Sequence, residues 1–284
     1  MIRREEKGKY FLIRQDDHAT LAGELAKRIG APPFESVLSV NPVAGAKALT
    51  AVTMHDAGWP IHDNVPTLNN RLVPRDVFES KHDMAIAVWT ASGDRASAVD
   101  PYAGLLVSLH SLSLSAFALA EVMVHVSRKA VAYTRERFDL NRFQHNEIER
   151  QTALRQQLGF ATDLPLNYGL AAPGASAQED LLAYHFRVLQ GMDRISLALC
   201  CTKSPFDWIE LSPTPGQPLT RVRLKRVGDR GLVVSPWIFD QPRLTFAIAA
   251  RVLPAQQFKT EAAFQDAMVS APTETLEFSV DPEQ

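Results

Sequence analysis

Apolar residues recur at spacings of three and four along the first two hundred positions, a period typical of amphipathic helices. The pattern predicts helices over 16–28, 42–56, 79–92, from 101 to at least 114, and over 128–157 and 178–201. A short strand is predicted over 9–14. Proline, asparagine and glycine interrupt the period over 59–75 and 159–176, which we expect to be loops. Most of the chain is therefore expected to form a helical bundle.

The pattern changes after residue 203. Four prolines over 205–218 break the helical period. Beyond them, alternating or β-branched apolar residues predict strands over 219–227, 232–235, 244–252 and 274–280, with a helix over 260–268. The sequence thus predicts a mainly α protein. A helical domain would occupy 1–203, and a small α+β appendage over 204–284 would pack on it without having to fold independently.

Composition narrows the class of protein. The hydrophobic share of 46% and the charged share of 22% are typical of a soluble globular chain. A formal net charge of −2 argues against a nucleic-acid-binding protein. Cys200 and Cys201 are adjacent, so they form neither a disulfide framework nor a spaced metal knuckle. The first residues contain no apolar signal-peptide core, and we expect a cytoplasmic protein that could form a homo-oligomer.

One apolar segment has nearly the length of a membrane span. Residues 104–120 carry no formal charge but contain His110 and four serines, and seventeen residues are at the short limit for a span. We expect a helix buried in a protein core and no membrane partner.

Histidine and aspartate occur where buried helix faces are predicted. His55 and Asp56 end the apolar helix over 42–56, while His18, His110 and Asp193 lie on the apolar faces of three other helices. Burying an ionised carboxylate destabilises the folded state by roughly several kcal/mol unless a cation pairs with it. Imidazole and carboxylate together suit Fe, Mn or Zn. We therefore predict a site for one or two divalent transition-metal ions.

Each candidate ligand taken singly has another interpretation. His110 alone fits a hydrogen-bonded core histidine, and His18 alone fits a histidine near a helix N-terminus. Asp193 could pair with a basic side chain elsewhere in the fold. The prediction of a metal site therefore depends on these residues converging as a set.

The order of these residues resembles that of the HD-domain superfamily of helical metal-dependent phosphohydrolases. The similar features are His18, the run His55-Asp56-Ala57-Gly58, then His110, then Asp193 followed by Arg-Ile-Ser-Leu. The chain is also similar, from residue 2 to the end of the β appendage, to an uncharacterised bacterial family of proteins of unknown function. The resemblance implies an HD-like bundle in which His18, His55, Asp56 and Asp193 hold one metal ion.

The same resemblance implies roles for two further histidines and shows one departure. His110 is similar to a ligand of superfamily members with a second metal, in which the aspartate corresponding to Asp56 bridges both ions. His82 lies where another such ligand could be. Many members have lysine after His-Asp-x-Gly, whereas this chain has Trp59. An aromatic side chain in place of a cation weakens the expectation of phosphate chemistry.

The leading hypothesis is a metal-dependent hydrolase that uses an activated water on a phosphoester-type small molecule. Asp56 would orient the ion or bridge two ions. Asp63, on the following loop, could be a catalytic base or substrate contact, or simply a capping or turn aspartate. Three basic residues near that loop could bind an anion or be surface charges: Arg71, Arg75 and Lys81.

Two other functions stay open. An HD-type iron-dependent oxygenase would need His110 and His82 as additional ligands. A non-enzymatic structural or regulatory protein would keep a metal in a site closed to solvent.

Overall fold

One curled mixed sheet contains both the first and the last strands of the chain. The structure is a computed structural model that describes residues 1–125, 130–162 and 175–284. Within these residues the sheet has seven strands in the order β1-β2-β6-β7-β5-β4-β3. Their bounds are β1 Ile2–Glu6, β2 Lys9–Ile13, β3 Trp208–Leu211, β4 Thr220–Val227, β5 Gly231–Ser235, β6 Leu244–Pro254 and β7 Thr273–Pro282. Strands β5 and β7 pair in parallel, and the other pairs are antiparallel.

The prediction of a mainly α, HD-like helical bundle is wrong, because the structure is an α+β fold with 51% helix and 20% strand. The hairpin β1–β2 joins the C-terminal strands through β6, with Tyr10 opposite Leu253. The apolar pattern did not predict strand β1, because four of its five residues are Arg or Glu. Arg4 is nevertheless buried, and it donates to the carbonyls of Leu199 and Cys201. The division of the chain at residue 203 stays a prediction.

Two of the helices that position the site begin at a side-chain cap. Asn41 accepts a hydrogen bond from Ala44 N just before Pro42, and Ser176 accepts one from Glu179 N. The helices are α1 Gln15–Ala26, α2 Val37–Val40, α3 Pro42–Met54, α4 Pro60–Asp63, α5 His82–Val99, α6 Pro101–His125, α7 Ala130–Leu158, α8 Ala177–Cys200 and α9 Glu261–Ser270. The predicted loop over 59–75 contains α4, and the predicted loop over 159–176 lies partly outside the described residues.

Helix α8 is the centre of the fold. It contacts α1, α3 and α6 on the helical side and β3, β4 and β5 of the sheet. At Gly191 a Cβ atom would lie 3.2 Å from Ile209 Cδ1, so the absence of a side chain lets the sheet approach the helix. Asp193 and Ser196 follow on the same helix, and their burial is a consequence of this central position.

Helix α6 is the apolar helix of the sequence. Its Pro101–Ala120 window is long and apolar enough to cross a membrane by length and composition, and 67% of it is buried against other elements. Core helices of globular domains have these properties too, and the burial favours such a helix here.

Candidate metal centre

Four helices bring the five predicted ligands to one buried place. His18 lies in the first turn of α1, His55 and Asp56 follow the last turn of α3, His110 lies on α6 and Asp193 on α8. All five are buried, with at most 7% of each residue exposed. His18 and Asp193, which are 175 positions apart, therefore meet in the interior. The prediction of a metal site requires this convergence.

Four donor atoms face one another at short distances. His18 Nε2 lies 3.2 Å from Asp56 Oδ2, 3.3 Å from His55 Nε2 and 3.5 Å from Asp193 Oδ1. His55 Nε2 lies 3.4 Å from Asp193 Oδ1 and 3.7 Å from Asp56 Oδ2. Donors about 2.0–2.2 Å from a shared ion would be roughly 3–3.5 Å apart in octahedral or tetrahedral geometry. The donor types and their spacing therefore fit a single transition-metal ion.

Hydrogen bonds on the far side of the His18 and His55 imidazoles set their tautomers. Ser196 Oγ donates to Asp193 O at 2.9 Å, so it accepts from His18 Nδ1 at 2.6 Å. His55 Nδ1 donates to Val52 O at 2.7 Å. In the neutral rings, both Nε2 lone pairs therefore point at the centre. Such outer partners orient histidine ligands in metal sites.

The two buried carboxylates of the cluster favour a positive charge beside them. Burial lowers the pKa of His55, but the carboxylates of Asp56 and Asp193 outweigh this and raise its pKa to about 9. Burial raises the pKa of each carboxyl, whereas the nearby imidazoles lower it, and both carboxyl pKa values lie below their usual range. Without a metal, protonated His55 therefore supplies the charge that an ion would otherwise supply.

His110 contacts the cluster from one side. Its Nε2 lies 3.6 Å from Asp193 Oδ2, whereas the ion-pair distance of His18 is to Oδ1. Burial lowers the pKa of His110 to about 4, although Asp193 opposes the change. Among the described residues, its Nδ1 has no hydrogen-bond partner. The structure thus contains two overlapping groups of possible metal ligands, His18–His55–Asp56 and His55–His110–Asp193.

Asp63, the second predicted catalytic residue, lies outside this cluster. Its Oδ2 accepts from Gln15 N at 2.7 Å and its Oδ1 lies 2.6 Å from the amino nitrogen of Met1. In the part of the chain that the structure describes, its carboxylate makes no ion pair with the histidine ligands. The bond from Gln15 N satisfies a free N–H of the first turn of α1. A catalytic role for Asp63 stays a prediction.

The other polar candidates from the sequence also have partners elsewhere. His82 is the first residue of α5, and its Nδ1 lies 3.6 Å from Oε2 of Glu136 on α7. Arg71 donates to Glu79, and Arg75 donates to Thr67 Oγ1 and to nearby backbone carbonyls. The structure therefore does not bring His82 to the cluster, and the two arginines support the loop over 59–75.

Two residues with clear structural roles at the site were not predicted. Ser196 orients His18, and Trp59 Nε1 donates to Asp56 Oδ1 at 3.2 Å. The only sequence signal for Ser196 was a polar residue one turn after Asp193 on an otherwise apolar stripe. Trp59 departs from the HD pattern, and the contact of its indole N–H with Asp56 is visible only in the structure.

Comparisons with known proteins give a family and no function. No curated protein and no solved structure matches the chain significantly. The model of one family, described as "Protein of unknown function (DUF3891)", matches residues 1–255, which include all five candidate ligands and six of the seven described strands. The chain therefore belongs to the DUF3891 family.

Proposed function

We propose that His18, His55, Asp56 and Asp193 bind a divalent Fe, Mn or Zn ion, and that the protein is a metal-dependent hydrolase of a phosphoester-type small molecule. The observation that carries the proposal is the convergence of four donor atoms from α1, from α8 and from the turn after α3, at 3.2–3.7 Å. The order of these ligands resembles that of the HD phosphohydrolases. A bound ion would act as a Lewis acid and lower the pKa of a water molecule.

The chain itself supplies a largely buried, oriented site with limited access to solvent. His18 and His55 side chains are at most 1% exposed, whereas those of Asp56 and Asp193 each keep 10% exposure. The carboxylate side of the cluster therefore reaches solvent. This access favours an enzyme over a purely structural metal site, which would be closed.

Positive charge next to Asp193 supports an anionic substrate. Arg187, Gln190 and Arg194 lie at helical spacings of three and four on the half-buried stripe of α8 that adjoins Asp193. Arg187 donates to Gln190 Oε1 at 3.2 Å, and Gln190 donates to Ser113 Oγ at 3.3 Å, one turn beyond His110 on α6. This chain of hydrogen bonds therefore runs from α8 to α6 close to the candidate ligands.

Both arginines of this stripe are candidates for contacting an anion. Arg187 Nε is buried and has no partner among the described residues, and Arg194 lies over the Phe206 ring at 5.1 Å. Guanidinium groups bind phosphate oxygens strongly. Arg194 would thus supply, from α8, the cation that Trp59 does not supply after the His-Asp-x-Gly run.

The test is hydrolysis of phosphate esters by protein loaded with one metal at a time. Protein purified without chelator is loaded with Mn, Fe or Zn and assayed on small phosphomonoesters and phosphodiesters for release of the alcohol. We expect Asp193→Asn to abolish turnover. We expect Arg194→Ala to raise KM at least ten-fold, whereas Arg142→Ala, on the exposed face of α7, leaves KM unchanged. Metal binding without turnover of any ester would favour the non-enzymatic alternative, and metal-dependent consumption of dioxygen would favour the oxygenase.

A further inference from the structure

The two overlapping groups of candidate ligands share His55, and this limits how many ions they can hold. His55 Nδ1 is committed to Val52 O at 2.7 Å, so only Nε2 is free to coordinate. One imidazole lone pair serves one ion. The groups His18–His55–Asp56 and His55–His110–Asp193 therefore cannot each hold a separate ion while both keep His55.

A bridging aspartate is the usual way for two ions to share a site, and Asp56 is not arranged for it. Its Oδ2 faces His18 Nε2 at 3.2 Å, in the centre of the cluster. Its Oδ1 accepts a hydrogen bond from Trp59 Nε1 at 3.2 Å. The common bridging mode uses one carboxylate oxygen for each ion, and here Oδ1 is already the acceptor of an indole N–H, which competes with a second ion for that oxygen.

The backbone around Trp59 holds the indole in this position. Trp59 is 5% exposed, and its backbone N donates to Asp56 O at 3.0 Å in a tight turn. Gly58 N donates to Ser92 Oγ at 2.9 Å, and a Cβ atom at Gly58 would overlap the carbonyl oxygen of Val88. The turn is thus packed directly on helix α5, and the indole has little freedom to leave Asp56.

We infer that Trp59 is a positioning residue that limits Asp56 to one coordinating oxygen and the centre to a single metal ion. The inference rests on the proposed metal site but not on the reaction proposed for it. His110, with its Nε2 nearest to the second oxygen of Asp193, then contacts a ligand from outside and does not complete a second site.

The test measures metal stoichiometry and affinity and does not depend on turnover. Wild-type protein, Trp59→Phe and the control Trp89→Phe are saturated with Zn, desalted and analysed for metal per chain. In the control, the ring centroid of Trp89 lies 5.6 Å from that of Phe143. Its replacement removes an indole that donates no hydrogen bond to the candidate metal ligands. Affinity is measured by competition with a chelator, and the coordination of Co²⁺ by its visible absorption.

We expect one ion per chain in the wild type, a 10- to 100-fold weaker affinity in Trp59→Phe with an altered Co²⁺ spectrum, and wild-type values in Trp89→Phe. Two ions per wild-type chain would overturn the inference even if Trp59→Phe does not fold. Equal affinities and spectra in wild type and Trp59→Phe would also overturn it. If one ion binds but no ester is hydrolysed, the proposed reaction fails while the inference stands.

Discussion

The protonation of His55 makes the stability of the metal-free protein depend on pH. Burial alone would lower the pKa of His55, yet Asp56 and Asp193 raise it from 6.5 to about 9. The folded state therefore holds a proton that the unfolded chain releases near pH 6.5. This contribution to stability is fully present below pH 6.5 and is lost as pH rises through about 9.

The size of the effect follows from the change in pKa. At about 1.4 kcal/mol for each unit, the rise from 6.5 to about 9 corresponds to about 3–4 kcal/mol of folding free energy. Other perturbed groups lie outside this interval. The pKa values of His110 and His185 are about 4, and the pKa of Cys200 is about 12 because of burial. A bound ion would replace the His55 proton, so the metal-loaded protein should not lose this stability.

Urea unfolding at pH 6.5, 7.5 and 9 measures the effect directly. We expect the free energy of unfolding of dialysed, metal-free protein to fall by about 3 kcal/mol over this range, and that of Zn-loaded protein to change by less than about 1 kcal/mol. His55→Ala should remove the pH dependence, whereas His145→Ala, an exposed residue on α7, should keep it. A metal-free protein whose stability is constant from pH 6.5 to 9 would refute the proposed charge balance of the cluster.

Three other substitutions test the packing around the site. Ser196→Ala removes the acceptor for His18 Nδ1 and should weaken metal affinity about 10- to 100-fold by chelator competition, while Ser270→Ala on α9 should not. Gly58→Ala places a Cβ against Val88 O and should lower the free energy of unfolding in urea by about 1–3 kcal/mol. Phe278→Ala, in the sheet core at 2% exposure, should lower it by about 3–5 kcal/mol without changing metal affinity.

The sequence was informative about helices and about polar residues inside them. The period of three and four located α1, α3, α6 and α8, and a histidine or aspartate on an apolar helix face is unusual enough to notice. Because these faces pack around α8, the five residues meet in the structure. Their role as metal ligands stays a prediction.

The sheet was harder to predict because its pairing is long-range. The alternation of buried and exposed positions in β1 is hidden by Arg and Glu, and burial of Arg4 depends on carbonyls almost two hundred residues away. Local pattern also could not show that β2 pairs with β6. The contact of Asp63 with Gln15 N is also long-range and is visible only in the structure. A catalytic role for Asp63 stays a prediction.

The most direct test of the metal centre is an anomalous-difference map of crystals grown with Zn and measured at the zinc edge. The account predicts one peak per chain, about 2.0–2.2 Å from His18 Nε2, His55 Nε2, Asp56 Oδ2 and Asp193 Oδ1. Crystals with full Zn occupancy elsewhere, and none among these four atoms, would contradict it.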